Sequence, residues 1–249
     1  MTIALEFEFV LLLTFLVFGM AVLYSSVGHG GASGYLAAMA LLGISVLDMK
    51  PAALVMNIAV AGLVVFRLAR QGYFNWTLFW PFALSSVPLA YLGGSMDVSA
   101  FALKIVIGGS LLIAAIRLFT PQEEIRDPRP PPVWLGLLTG AGLGFTAGLT
   151  GVGGAIYLSP ILYVMRWADM RTNAVISGAF VLVNSASGLA GYLSSGYAIP
   201  SFTPHLVTTA LVGAFIGSAL CLKRLHSAGI RRLLGVVLLV AGGKLILTA

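Results

Sequence analysis

Two short glycine tetrads mark where this chain could do chemistry. Gly28-His29-Gly30-Gly31 and Gly151-Val152-Gly153-Gly154 share the pattern Gly-x-Gly-Gly and lie half a chain length apart, each inside a long apolar run. Residues without side chains are poor choices for a helix interior, so the pattern predicts a break there, with a new helix opening near Gly30 and near Gly153. The first turn of a helix carries backbone N–H groups that find no acceptor within it, and together with the helix dipole they attract an anion. Ser25, Ser26, Ser33, Thr146, Thr150 and Tyr157 flank the tetrads and can add hydroxyl donors without bringing a charge into an apolar setting. The chemistry predicted is the holding of an oxyanion. Close helix packing through small residues is the rival reading of the same glycines.

His29 sits inside the first tetrad where the second has Val152, so the two cannot be chemically equivalent. An imidazole with an ordinary pKa near 6.5 could be charged when an anion arrives and neutral when it leaves, which would couple transport to protons. Alternatively it satisfies a carbonyl at the break. Asn173, Ser177 and Asn184 recur on one helical face, and Asn57 is the main polar residue of the corresponding segment in the first half. These either line a cavity opposite the tetrads or bridge neighbouring helices.

The elements that must position these residues are apolar. Charged residues make up 9% of the chain and hydrophobic residues 59%, with a mean hydropathy of +1.01, which excludes an ordinary soluble domain and indicates a polytopic membrane protein. Apolar segments fall at approximately 7–24, 32–46, 51–68, 76–93 and 101–119, then at 133–149, 154–167, 172–193, 204–222 and 229–247. Between the two sets lies TPQEEIRDPRPPP, residues 120–132, the hydrophilic linker. The division expected is an N-terminal transmembrane repeat, 1–119, the Pro-rich linker, 120–132, and a C-terminal repeat, 133–249. Asp48-Met49-Lys50 aligns with Asp169-Met170-Arg171, and Gly72-Tyr73 with Gly196-Tyr197, as a duplication requires.

Charge distribution orients the halves. With five crossings per half, 11 of the 14 Lys and Arg residues fall on one face and 3 on the other; an even count of crossings loses that asymmetry. An odd number inverts the second half. The fold expected is therefore an all-α membrane protein with two inverted-topology repeats of about five helical segments, the first two segments of each separated by a Gly-rich break. Both termini then lie outside and the linker in the cytoplasm of a multi-pass inner-membrane protein. Segments 32–46 and 154–167 fall short of the roughly 20 residues a full crossing needs and could be half-helices.

No Asp or Glu is placed at mid-membrane depth, which disfavours a cation carrier and fits an anionic substrate. Lys50 and Arg171 are expected as interface anchors or as electrostatic guides at opposite mouths. The basic residues are scattered at segment ends, not gathered in a stripe, so nucleic acid is not an expected partner. Nucleotide-binding, hydrolase and metalloprotease signatures are absent, and the lone Cys221 offers neither a disulfide nor a thiolate metal site. No cofactor is expected, and homodimer formation is left open.

On the residues Gly28-His29-Gly30-Gly31, Gly148-Leu149-Thr150-Gly151-Val152-Gly153-Gly154 ending at Pro160, and Asp169-Met170-Arg171-Thr172-Asn173-Ala174, the chain resembles the sulfite exporter TauE/SafE family, the toluene-sulfonate uptake permeases. It departs from the family's fuller pattern at Ala155, where a third glycine often follows, and at His29. The resemblance implies transport of sulfite, sulfonates such as sulfoacetate, or related organic acid anions across the cytoplasmic membrane. The substrate-binding set expected is Ser25, Ser26, Gly28, His29, Gly30, Gly31, Ser33, Asn57, Thr150, Gly151, Gly153, Gly154, Tyr157, Asn173 and Ser177. An anion channel and a membrane-embedded enzyme or assembly subunit are the rival functions.

Overall fold

The computed structural model describes residues 2–26, 31–119, 127–221 and 228–249. Among these residues every regular element is helical: α1 (Thr2–Ser26), α2 (Ala32–Leu41), α3 (Val46–Ala69), α4 (Trp76–Ser95), α5 (Ala100–Phe119), α6 (Val133–Thr150), α7 (Ala155–Val164), α8 (Met170–Ser194), α9 (Thr203–Cys221) and α10 (Ala228–Leu247). Windows in α1, α3, α5, α6 and α8 are long and apolar enough to cross a membrane. Large apolar side chains such as Phe15, Leu84, Ile116, Leu138 and Phe215 face outward, as lipid contact requires.

Local signals set the helix ends. Ser45 caps α3 by accepting from the Leu47 amide at 3.3 Å, and Asp48 follows in the first turn. Segment 51–68 thus begins five residues earlier than expected, because Pro51 is accommodated inside α3 and does not open it. Asp169 caps α8, its carboxylate accepting from the amides of Arg171 and Thr172 at 2.9 and 3.0 Å. At the other end of α2, the Gly43 amide donates to Ala40 O and the Ile44 amide to Met39 O, with Gly43 at φ 76. After α7 the same pair of bonds recurs, Arg166 to Tyr163 O and Trp167 to Leu162 O, with Arg166 at φ 56. Both are Schellman endings. They explain why α2 and α7 stop short of the expected 46 and 167.

Packing fixes direction. α3 and α8 are antiparallel: Gly188 lies against Leu54, Asn57 against Ser185, and Gly178 against Val65. α5 and α10 are antiparallel too, with Gly108 on Gly242 and Lys104 donating to Thr248 O. α4 and α6 run parallel, Pro81 facing Gly136, Phe82 facing Gly140, Ser86 facing Gly144 and Ala90 facing Gly148. So do α1 and α9, with Phe18 facing Gly213 and Val22 facing Gly217. Several contacts are backbone to backbone: a Cβ on Gly148 would lie 2.0 Å from Ala90 O, and one on Gly94 2.1 Å from Gly188 O. The buried core centres on α1, α2, α3, α5, α9 and α10, with a second cluster where α4, α7 and α8 meet.

Candidate functional site

The second tetrad connects α6 to α7. Gly151, Gly153 and Gly154 have φ of 76, 79 and 84, a left-handed sequence that L side chains rarely adopt. The chain before α6 and the chain after α7 meet again, the Arg129 amide donating to Arg166 O at 2.9 Å. The two helices are therefore the arms of a hairpin with the tetrad at its tip. Ten residues give α7 a length of about 15 Å, half the thickness of a hydrocarbon core of roughly 30 Å.

At the tip the backbone is left with donors to spare. Gly154 O accepts from the amides of Tyr157 and Leu158, which starts the hydrogen-bond ladder of α7. The Val152 amide donates to Thr150 Oγ1 at 3.3 Å and the Gly151 amide to Ala147 O at 3.0 Å. The four consecutive amides of Gly153, Gly154, Ala155 and Ile156 donate to no protein acceptor among the described residues. Gly153, Gly154 and Ala155 are buried, and a buried donor left unpaired costs about 1–3 kcal/mol. Unpaired amides at a helix N-terminus are the kind of donor from which an anion site can be built.

Side chains from α3 and α8 close on this tip. Asn57, wholly buried, donates from Nδ2 to Gly151 O at 3.0 Å and to Ser185 Oγ at 3.4 Å. A Cβ on Gly153 would meet Val181 Cγ1 at 2.8 Å, Asn57 Nδ2 at 3.1 Å and Ser185 Oγ at 3.3 Å; one on Gly154 would meet the Phe180 ring at 2.6 Å. Asn57 belongs to the N-terminal half and the turn it holds to the C-terminal half.

The other expected site residues divide by what their polar atoms already do. Thr150 Oγ1 donates to Thr146 O at 2.7 Å, so its single proton serves the end of α6. Asn173 donates to Ser159 O at 3.0 Å and accepts from Ser177 Oγ at 2.9 Å, fastening α8 to α7. Tyr157 OH pairs with Ser110 of α5. Ser33 donates to Tyr24 OH at 2.9 Å. Ser25 is buried with Oγ unpartnered. Gly31, at φ 77, precedes α2 as Gly154 precedes α7, and a Cβ there would strike the Tyr35 hydroxyl. Gly28, His29 and Gly30 lie outside the described residues, as does the side chain of Ser26.

Two participants were not anticipated. Ser185 touches the tip although only its neighbour Asn184 stood out in the sequence, because a serine beside an asparagine gives no helical-face signal of its own. Lys50, expected at an interface or a mouth, is 4% exposed; its Nζ donates to the Gly94 and Gly93 carbonyls at 3.1 and 3.4 Å and lies 5.5 Å from the centre of the Tyr192 ring. The carbonyls at the end of α4 have no partner within the helix and carry its negative dipole end, which is what draws the ammonium inward. A Cβ on Gly151 would lie 2.8 Å from Lys50 O, so this residue also packs against the tip. Its aligned partner Arg171 stays exposed and donates to Tyr73 OH.

Comparison with known proteins agrees with this architecture. The family described as Sulfite exporter TauE/SafE matches residues 12–245. The chain is 34% identical over 234 residues to a probable membrane transporter protein of Sinorhizobium fredii, covering 92% of this chain and 95% of that protein. It is 30% identical over 214 residues to a probable membrane transporter protein of Methanocaldococcus jannaschii, covering 78% of each. No solved structure matches it significantly. The matched residues run almost from end to end of a many-helix chain, and this protein belongs to the TauE/SafE sulfite exporter family of multi-pass membrane transporters.

Proposed function

We propose that this protein is a secondary transporter that moves a small sulfur-containing oxyanion, sulfite or an organosulfonate such as sulfoacetate, outward across the cytoplasmic membrane. The observation that carries the reading is the run of amides from Gly153 to Ile156, without a protein acceptor among the described residues, at the tip of the hairpin of α6 and α7. If Arg166 marks the membrane surface, the roughly 15 Å of α7 supports a tip near the bilayer midplane, where an anion has no water to replace those donors. An interior-negative potential favours anion exit by about 2.3 kcal/mol per charge at 100 mV, so export needs no cation partner.

Alternating access follows if residues 1–119 and 133–249 are inverted copies. Exchanging the halves turns the parallel pair α1 and α9 into the parallel pair α6 and α4, and returns α3 with α8 and α5 with α10 to themselves. A two-fold axis along the bilayer normal leaves self-paired helices parallel; antiparallel pairs, as here, support an axis in the membrane plane. In this topology both termini lie outside and the linker is cytoplasmic, and His29 of the first tetrad is the residue whose titration would make transport sensitive to protons.

The test uses the purified full chain in liposomes loaded with sulfite or sulfoacetate. Saturable efflux with counterflow, and thermal stabilisation by the same anions, is the expected result. Conductance steps in a planar bilayer, or stabilisation by no anion in a panel of sulfite, sulfate, thiosulfate, sulfoacetate, taurine and simple carboxylates, would overturn it.

A further inference from the structure

Resting on the reading of the 153–156 amides as an anion cradle, we infer that Asn57 narrows the proposed substrates to a ligand that carries its own hydrogen-bond donor: a singly protonated oxyanion, or a sulfonate bearing a hydroxyl or ammonium group, in preference to a fully deprotonated dianion such as sulfoacetate. The inference starts from an imbalance in the site. Asn57 is 0% exposed, and both hydrogens of its amide nitrogen are engaged, one by Gly151 O at 3.0 Å and one by Ser185 Oγ at 3.4 Å. Its Oδ1 has no partner.

The orientation of the amide is fixed by chemistry. Gly151 O is a carbonyl with lone pairs only, so turning the amide over would set oxygen against oxygen and lose the 3.0 Å bond. Asn57 therefore holds the turn with its nitrogen and leaves a buried acceptor on the side chain that grips the donor-bearing turn. A bare dianion would satisfy the amides and repel Oδ1. A ligand with oxygens on one side and an O–H or N–H on another answers both, and an unanswered buried acceptor costs enough to discriminate by about tenfold or more. The free hydroxyl proton of Ser185, which accepts from Asn57 and donates to no acceptor among the described residues, adds one more donor to the anionic side.

The experiment measures binding of matched ligands to the purified full chain in detergent by calorimetry. 2-Hydroxyethanesulfonate and propane-1-sulfonate have the same charge and nearly the same shape, and differ by a hydroxyl against a methyl. Sulfite is titrated across its second ionisation with sulfate as the constant dianion. The expected result is at least a tenfold preference for the hydroxyl-bearing sulfonate, or sulfite affinity that rises as hydrogen sulfite forms; the first names an organic substrate and the second an inorganic one. In Asn57→Leu the preference should collapse to within twofold. Equal affinity of the wild-type chain for the two sulfonates, together with sulfate binding as tightly as hydrogen sulfite, would overturn this inference and leave the anion cradle standing. Failure of every one of these anions to bind would overturn the cradle itself. The wild-type comparisons decide the matter even if the Asn57 variant does not fold.

Discussion

Replacing Gly153 by Ala tests the tip of the hairpin directly. Its φ of 79 costs an L residue about 1–2 kcal/mol, and the new methyl would stand 2.8 Å from Val181 Cγ1 and 3.1 Å from Asn57 Nδ2. Overpacking of that kind adds about 1–3 kcal/mol, for a total near 2–5 kcal/mol. Gly72 supplies the control, since its φ is 83 and a Cβ there meets nothing within 4 Å. Gly72→Ala should therefore pay the backbone part alone. Reversible unfolding in mixed micelles measures both, and the steric part is the difference, about 1–3 kcal/mol. The same methyl pushes on Asn57, so Gly153→Ala should also lose stabilisation by sulfite while Gly72→Ala keeps it. Losses within about 0.5 kcal/mol of each other, with sulfite protecting both equally, would refute the claim that this tip is a packed binding turn.

Three further outcomes follow from the same reasoning. Arg166→Gly should raise stability by up to about 1 kcal/mol, because a side chain now sits at φ 56 in a Schellman ending built for glycine; thermal unfolding checks it. Lys50→Met keeps the aliphatic stem but strips the donor from the buried Gly93 and Gly94 carbonyls, and should cost about 1–3 kcal/mol in the same assay. Burial raises the pKa of the Asp169 carboxyl, but hydrogen bonds from the Thr172 amide and hydroxyl and the Arg171 amide outweigh it and hold the group below its ordinary value. A depressed folded pKa stabilises fully above the ordinary carboxylate value and loses that contribution as pH falls through the folded one. Asp169→Ala should thus cost about 1 kcal/mol at pH 7, and the gap should close in unfolding curves taken below about pH 4.

The helices were legible because hydropathy and capping are local. Most ends fall within two residues of their expected places; α1 starts five residues early, at Thr2, and the exceptions in α3 and α7 have local causes. Pro51 reads as a helix start, yet Ser45 and Asp48 had already begun α3. Nothing in an arginine announces a left-handed residue, so the end of α7 at Val164 was visible only through alignment of Arg166 with Gly43. At the site, glycine spacing foretold the turn, since backbone freedom is written in residue type. How the hydroxyls and amides are used could not be read: Thr150 turns back on α6, Asn173 and Ser177 fasten α7, and Asn57 reaches across to the other half. Those choices depend on which helix docks beside which, and that is decided over distances the sequence does not record.

The interlocked glycine faces also dictate how this protein can move. With no room for even a methyl between Gly148 and Ala90, Gly94 and Gly188, or Gly191 and Tyr91, helices α4, α6 and α8 cannot slide past one another; Gly213 and Gly217 weld α9 to α1 in the same way. The seam of α3 on α8 is looser along part of its length, where Gly62 meets Leu182 and Gly178 meets Val65 through side chains, while Lys50 and Asn57 tie the rest of α3 to α4 and to the turn. Any rocking of the halves would therefore carry α4, α6 and α8 as one body and α1 with α9 as another.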